Sequence, residues 1–163
     1  MWYYKDSVRS SLLRYKFYGR RHYHCAYGRL LAMKLQKEYS DKFDLLTFVP
    51  ISPLRKLTRG YDQVDLLART VGQELQMRPV RTLRKIRHTP PQSTIRDTYR
   101  RKANVLGAYA PVNPDLIRGK RILLLDDIIT TGATASECAR VLLTAGAKEV
   151  FCAAVAARDH KTK

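Results

Sequence analysis

No stretch of this chain approaches the ~18 consecutive apolar residues that cross a bilayer. The most apolar run, Ile122 to Leu125, is cut by Asp126 and Asp127, so membrane insertion is not expected. A secretory leader is not legible either, because Met1 is followed by aromatic and charged residues rather than an apolar core. The expected compartment is the cytoplasm. Cysteine is scarce: Cys25, Cys138 and Cys152 are odd in number and form no C-x-x-C pair, which excludes a disulfide framework or a zinc ribbon spelled in this sequence. Cys138 and Cys152 sit among apolar neighbours and are expected as small buried hydrophobes. His22, His24 and Cys25 crowd together, yet adjacent positions rarely converge on one metal. No two glycines stand two residues apart, so there is no G-x-G-x-x-G, and no G-x-x-x-x-G-K-[ST] occurs. Acids are scarce as well. Against 14 Asp and Glu there are 31 Lys and Arg, a net charge of +17. Such an excess fits a polyanionic partner, either phosphate, pyrophosphate or nucleic acid, with a merely solvated basic face as the alternative.

The 163 residues, 45% of them apolar, suit a single domain over 1–163 with one core. Val8, Leu12 and Tyr15, after a possible cap at Asp6 or Ser7, and then Tyr27, Leu31 and Leu35 fall at helical spacing; two N-terminal helices are expected over 1–40. A core over 45–159 follows. Leu45 to Val49 reads as a buried strand ended by Pro50, and a loop then leads to a helix from about Asp62 with Val64, Leu67, Ala68, Val71 and Leu75 on one face. Asp65 and Arg69 pair on its surface by spacing. Arg78 to Lys102 holds nine Lys or Arg and one acid, with three prolines and little periodicity, and is expected as a basic, mobile excursion. Beyond it come a strand at Arg121 to Leu125, a polar loop, and a helix carrying Ala135, Cys138, Val141, Leu142 and Ala145 on one face, stopped by Gly146. A strand at Val150 to Ala156 and a tail from His160 to Lys163 close the chain. Near-continuous apolar strands joined by a helix predict an α/β fold, a doubly wound and mainly parallel sheet.

The densest signal is Arg121 to Thr134, in which four apolar strand residues run straight into Asp126 and Asp127. Two carboxylates at the carboxyl end of a buried parallel strand are costly without a partner, and that edge is where α/β sheets bind ligands. A cation or sugar hydroxyls would satisfy them. Thr130, Thr131, Gly132, Ala133 and Thr134 then enter a helix and offer free backbone N–H groups, three hydroxyls and a positive helix end. That is a phosphate cradle. Carboxylates on one side and a cradle a few residues on match the two ends of a ribose 5-phosphate.

The run resembles the phosphoribosyl pyrophosphate motif of type I phosphoribosyltransferases. By that resemblance Asp126 and Asp127 take the ribose diol with magnesium (Mg2+) close by, and Thr130 to Thr134 wrap the 5-phosphate. Hypoxanthine-type enzymes place an acid where Thr130 stands, so a 6-oxopurine transferase is not implied. Three further segments, Val49-Pro50 through Arg55 to Arg59-Gly60-Tyr61-Asp62-Gln63, Thr89-Pro90-Pro91-Gln92, and Arg100 to Tyr109, resemble the ComF/GntX family, which is tied to natural competence and DNA uptake. That family often has Asn at the position of Asp62, and its spacing from the Gln to the Asn is about one residue shorter. It usually carries a four-cysteine zinc ribbon ahead of the helix near Val8, and none is found there.

Because the loop from Pro50 to Gln63 follows the first strand, Arg55, Arg59 and Gly60 are candidates for pyrophosphate; arginine forks suit that role, and ordinary surface arginines are the alternative. Arg78 to Lys102 would be a hood closing over substrate, or else a solvated basic loop. Phosphoribosyl transfer needs magnesium and basic groups at the departing pyrophosphate and exclusion of water. Those groups are present, but no segment names an accepting base. The rival reading is a protein that handles single-stranded DNA, or senses a nucleotide, through the same site without catalysis. Trp2, Tyr3, Tyr4, Tyr15, Phe17, Tyr18, Tyr23 and Tyr27 alternate with Lys5, Arg9, Arg14, Lys16, Arg20, Arg21 and Arg29. Such alternation suits stacked bases and paired phosphates, unless the rings simply pack on the sheet.

Overall fold

A computed structural model describes residues 2–39, 42–90 and 97–158. Four strands form a parallel sheet in the order β1-β6-β5-β2: β1 (Trp2–Tyr3), β2 (Leu45–Phe48), β5 (Arg121–Ile129) and β6 (Glu149–Ala157). Leu45 to Phe48 pair with Ile122 to Leu125, and Arg121 to Asp126 pair with Glu149 to Ala154. Alternation along β5 sends Ile122 and Leu124 to one face and Leu123 and Leu125 to the other, and each face builds its own core. On the second face lie α1 (Asp6–Phe17), α2 (Tyr23–Tyr39) and α4 (Gln63–Glu74), contributing Leu12, Tyr15, Leu31, Leu35, Leu67 and Val71. Covering the first are α7 (Ala133–Thr144), the short α6 (Pro114–Ile117), and an antiparallel pair of β3 (Leu83–Lys85) with β4 (Tyr109–Pro111). The expected doubly wound α/β architecture is the one observed.

In the helical stripes expected around Leu12, Leu31, Val64 and Cys138 the central residues are buried, while Val8, Tyr27, Leu75 and Ala145 are partly buried against the cores. The pairing of Asp65 with Arg69 is present, at 3.1 Å. Gly146, at φ 99°, follows the C-cap Ala145 of α7.

Five expectations need correction. The first helix begins after Lys5, which stands at the N-cap in place of Asp6 or Ser7. The loop after β2 contains α3 (Pro53–Arg59), which Ser52 caps by accepting from Arg55 N–H and Pro53 opens with a preset φ. The basic excursion is structured at both ends: β3 buries Leu83, and α5 (Thr98–Val105), capped by Asp97, buries Val105. Pro91 and Gln92 of the expected hood, and the tail from His160, lie outside the described residues. β5 runs on to Ile129, because Ile128 and Ile129 pair with Ala156 and Ala157, which in turn pair with β1. Asp126 and Asp127 therefore sit inside a strand. Finally, Cys138 is buried but Cys152 is exposed, since β1 covers β6 only at Ala156 and Ala157.

Candidate functional site

The carboxyl ends of β2 and β5 open into a cleft of about 890 Å³. Its lining brings together most residues nominated by the sequence: Asp126, Asp127, Thr130, Thr131, Gly132, Ala133, Thr134, Arg55 and Arg59. Gly60 is not among them; at φ 75° it caps α3 and sets the direction in which the chain leaves that helix. A smaller, mostly apolar cavity of about 150 Å³ lies between α2 and the sheet, and its two charged residues, Lys34 and Glu38, pair with each other at 2.7 Å.

Strand alternation gives the two acids different surroundings. Asp127 faces α1 and α4 and is almost fully buried. Its Oδ1 lies 2.9 Å from Lys16 Nζ, and its Oδ2 accepts from Gln63 Nε2 at 3.1 Å. Asp126, toward β4 and α7, accepts the Asp127 backbone N–H at 2.8 Å. Burial first, and the charge of Asp127 next, push the Asp126 carboxyl well above the ordinary carboxylate range. Gln63 is 3% exposed, and its Oε1 has no partner among the described residues. An unsatisfied buried acceptor costs about 1–3 kcal/mol, so a donor from outside the protein would be well received there.

The phosphate side is built by the start of α7. Gly132, at φ 74°, adopts the left-handed conformation at the N-cap, and its carbonyl accepts from Ser136. The N–H groups of the helix's first turn precede that first bond and are open to an anion. On the opposite wall Arg55 donates through Nη2 to the Thr89 carbonyl at 3.0 Å, and the Arg59 guanidinium stacks on Phe17, 4.8 Å from its ring centroid. Lys85 lies over the Tyr109 ring at 5.3 Å, and burial, then the neighbouring Arg55, lower its pKa to about 8.

Lys16 and Lys85, which reasoning from sequence left inside general basic runs, line this cleft together with Tyr109 and Gln63. One signal for Lys16 was available: it follows Leu12 by four residues and adjoins Tyr15, so a lysine stands on the buried stripe of α1. No group of three or more potential metal-ligating His, Cys, Asp or Glu occurs among the described residues. His24 Nδ1 instead lies 2.7 Å from the Thr70 hydroxyl.

Against this geometry, the sequence model of the phosphoribosyl transferase domain matches residues 57–163. The chain belongs to the phosphoribosyl transferase domain family. Within that family it is of the ComF kind. It is 30% identical to competence protein ComFC of Streptococcus pneumoniae over 90% of this chain and 62% of that protein. With the DNA utilization protein YhgH of Escherichia coli it shares 32% identity over 66% of this chain and 46% of the relative. The chain thus spans about half to three fifths of the length of these curated relatives. Among solved structures, the B. subtilis glutamine phosphoribosylpyrophosphate amidotransferase superposes with a TM-score of 0.55 at 24% identity, over 81% of this chain and 26% of the other. That likeness bears on the fold. In the family's terms, the matched span begins in α3 and takes in β5 with its acids and the start of α7.

Proposed function

We propose that the cleft binds phosphoribosyl pyrophosphate, or a closely related phosphoribosyl ligand, together with magnesium, and that the protein serves DNA uptake as its competence-protein relatives are named for doing. One observation carries the reading: Asp126, Asp127, Thr130 to Thr134, Arg55 and Arg59, nominated from separate segments, line a single cleft. In this reading the α7 N-terminus and the threonine hydroxyls hold the 5-phosphate, while Asp126 and Asp127 receive the ribose hydroxyls. Arg55, Arg59 and Lys85 meet the pyrophosphate, whose charge no neutral side chain would balance. The carboxylates and Gln63 Oε1 form a set of oxygen donors suited to a hard cation such as magnesium, and these residues would hold it. A bound magnesium ion supplies positive charge at the oxygens of the departing pyrophosphate. The same cations make the protein a candidate phosphoribosyltransferase, since charge at the leaving group is what the transfer demands. A cytoplasmic location belongs to the same reading.

Calorimetry with phosphoribosyl pyrophosphate and magnesium tests it. The wild type is expected to bind, and replacing Asp126 or Asp127 by Asn is expected to cost about 1.5–3 kcal/mol, the range for hydrogen bonds to charged groups. Unchanged affinity in a folded double variant would remove the assignment.

A second reading, single-stranded DNA as a partner alongside other competence proteins, is favoured by the surface at the N-terminus. Tyr15 is buried, whereas Tyr3 and Tyr18 are 63% and 73% exposed, and Arg14, Arg20 and Arg21 are exposed around Tyr18. Open rings beside cations suit stacking with unpaired bases.

A further inference from the structure

The end of α1 brings Lys16 and Phe17 into the ligand cleft, with Tyr15 buried behind them, and each of the three is committed to a different partner. The Tyr15 hydroxyl donates to the Gln63 carbonyl, Lys16 pairs with Asp127 at 2.9 Å, and Phe17 carries the Arg59 guanidinium on its ring. Tyr61 closes the same junction by donating to the Tyr15 carbonyl. The Lys16 ammonium is thus held at a fixed point rather than on a free arm: its side chain is 19% exposed and that of its partner 6%. On the other side of the Asp127 carboxylate stands Gln63, whose Oε1 is buried and has no partner among the described residues. A carboxylate, a lysine and an unsatisfied amide oxygen converge where the acids meet the cleft.

We propose that Lys16 is an exchangeable counter-cation: in the free protein it supplies at Asp127 the positive charge that a divalent cation supplies in the ligand-bound state, so that the two compete for this carboxylate. The inference rests on the reading of Asp126 and Asp127 as the metal-side acids. Three observations support it. A largely buried carboxylate is costly without a positive partner, which accounts for a lysine on the core stripe of α1. The Lys16 ammonium is spent on Asp127 Oδ1 and does not satisfy Gln63 Oε1, which is left for a donor or a cation. Lysine, a flexible single-point donor, can swing from a carboxylate to a ligand oxygen more readily than a bidentate arginine fork. The exchange also keeps charge in balance, because the lysine released from Asp127 remains in the cleft, available to the anion that arrives with the metal.

The test is titration of the folded chain with Mn2+ alone, read by water-proton relaxation at pH 8.5 to limit competition from protons. Removing a unit charge from beside a divalent cation in a partly solvated cleft is worth about tenfold or more in affinity. Lys16→Met is therefore expected to bind Mn2+ about tenfold more tightly than wild type, and Lys16→Arg, which keeps the charge and grips the carboxylate with a fork, to bind no more tightly than wild type. Damage to the fold would weaken binding and cannot mimic this gain. Lys16→Met combined with Asp127→Asn is expected to lose the gain. Equal or weaker Mn2+ binding by Lys16→Met, or a gain that survives Asp127→Asn, overturns the proposal. Titration of the wild type with phosphoribosyl pyrophosphate and magnesium is a separate experiment, so failure of the ligand assignment is distinguishable from failure of the exchange.

Discussion

Adjacent carboxylates on a strand point to opposite faces, and this separates the duties of Asp126 and Asp127. Asp127 is tied to α1 through Lys16 and to α4 through Gln63, so it positions the walls of the cleft as well as facing its interior. Asp126 receives one backbone N–H and remains the more available group for a ligand. Lys85 belongs to the same charge arrangement from the opposite wall. Its pKa, lowered to about 8 by burial and by Arg55, means that the free protein loses this positive charge as pH rises through that value. An anion binds the protonated form better, so affinity for inorganic pyrophosphate without metal is expected to fall between pH 7 and pH 9. In Lys85→Met the decline should be shallower and the affinity at pH 7 lower. Parallel pH profiles for the two proteins, measured by calorimetry, would place Lys85 away from the anion.

Elements deliver these residues, and α4 shows how local chemistry fixes one of them. Asp62 accepts from Val64 N–H and Asp65 N–H at 3.1 Å each, which sets the start of α4 and leaves Gln63, the next residue, against Asp127. Burial raises the Asp62 pKa, so the cap carries a desolvation cost that a neutral amide lacks. Asp62→Ala is expected to destabilise the chain by about 1 kcal/mol, within the ~0.5–2 kcal/mol range for lost caps. Asp62→Asn is expected to retain stability, and urea unfolding of both variants checks the order. Long elements of this kind were legible in the sequence, because four or five apolar residues at one period, as in α4 and α7, leave no second solution. The β5 acids and the turn at Gly132 were legible for a different reason: buried charge next to a glycine-containing helix start is chemically unusual. Short elements were not. β3 spans Leu83–Lys85, too few residues for alternation to register, and its stability comes from β4, whose Tyr109 is 24 residues beyond Lys85. Lys85 escaped for the same reason, since it enters the cleft through tertiary packing that no local window contains, whereas Lys16 stood on a legible helical stripe but meets its partner Asp127 only through the fold.

At the scale of the whole molecule the charge exceeds what one small ligand requires. The cleft is lined by seven basic residues, Arg9, Lys16, Arg55, Arg59, Lys85, Arg101 and Arg158, against Asp126 and Asp127, while the chain carries +17. Most of the surplus therefore lies outside the cleft. Arg78, Arg84, Arg100 and Lys102 are exposed on and beside β3 and α5, and Arg14, Arg20 and Arg21 are exposed close to Tyr18 in sequence. A single strand laid across such a surface would release counterions, and log affinity would fall against log salt by about 0.7 for each phosphate neutralised. Fluorescence anisotropy with a labelled oligonucleotide is expected to show binding at low salt that collapses at moderate salt. Replacing Arg84, Arg100 and Lys102 by Gln is expected to flatten the slope by about 2 if each neutralises one phosphate. Tyr18→Ala is expected to weaken binding with the slope unchanged, because stacking releases no counterion. Phosphoribosyl pyrophosphate with magnesium is expected to compete only in part, since it would occupy the cleft and leave the outer cations free to hold the strand. Complete competition would put the strand inside the cleft, and no binding at low salt would leave the excess charge to a different polyanion.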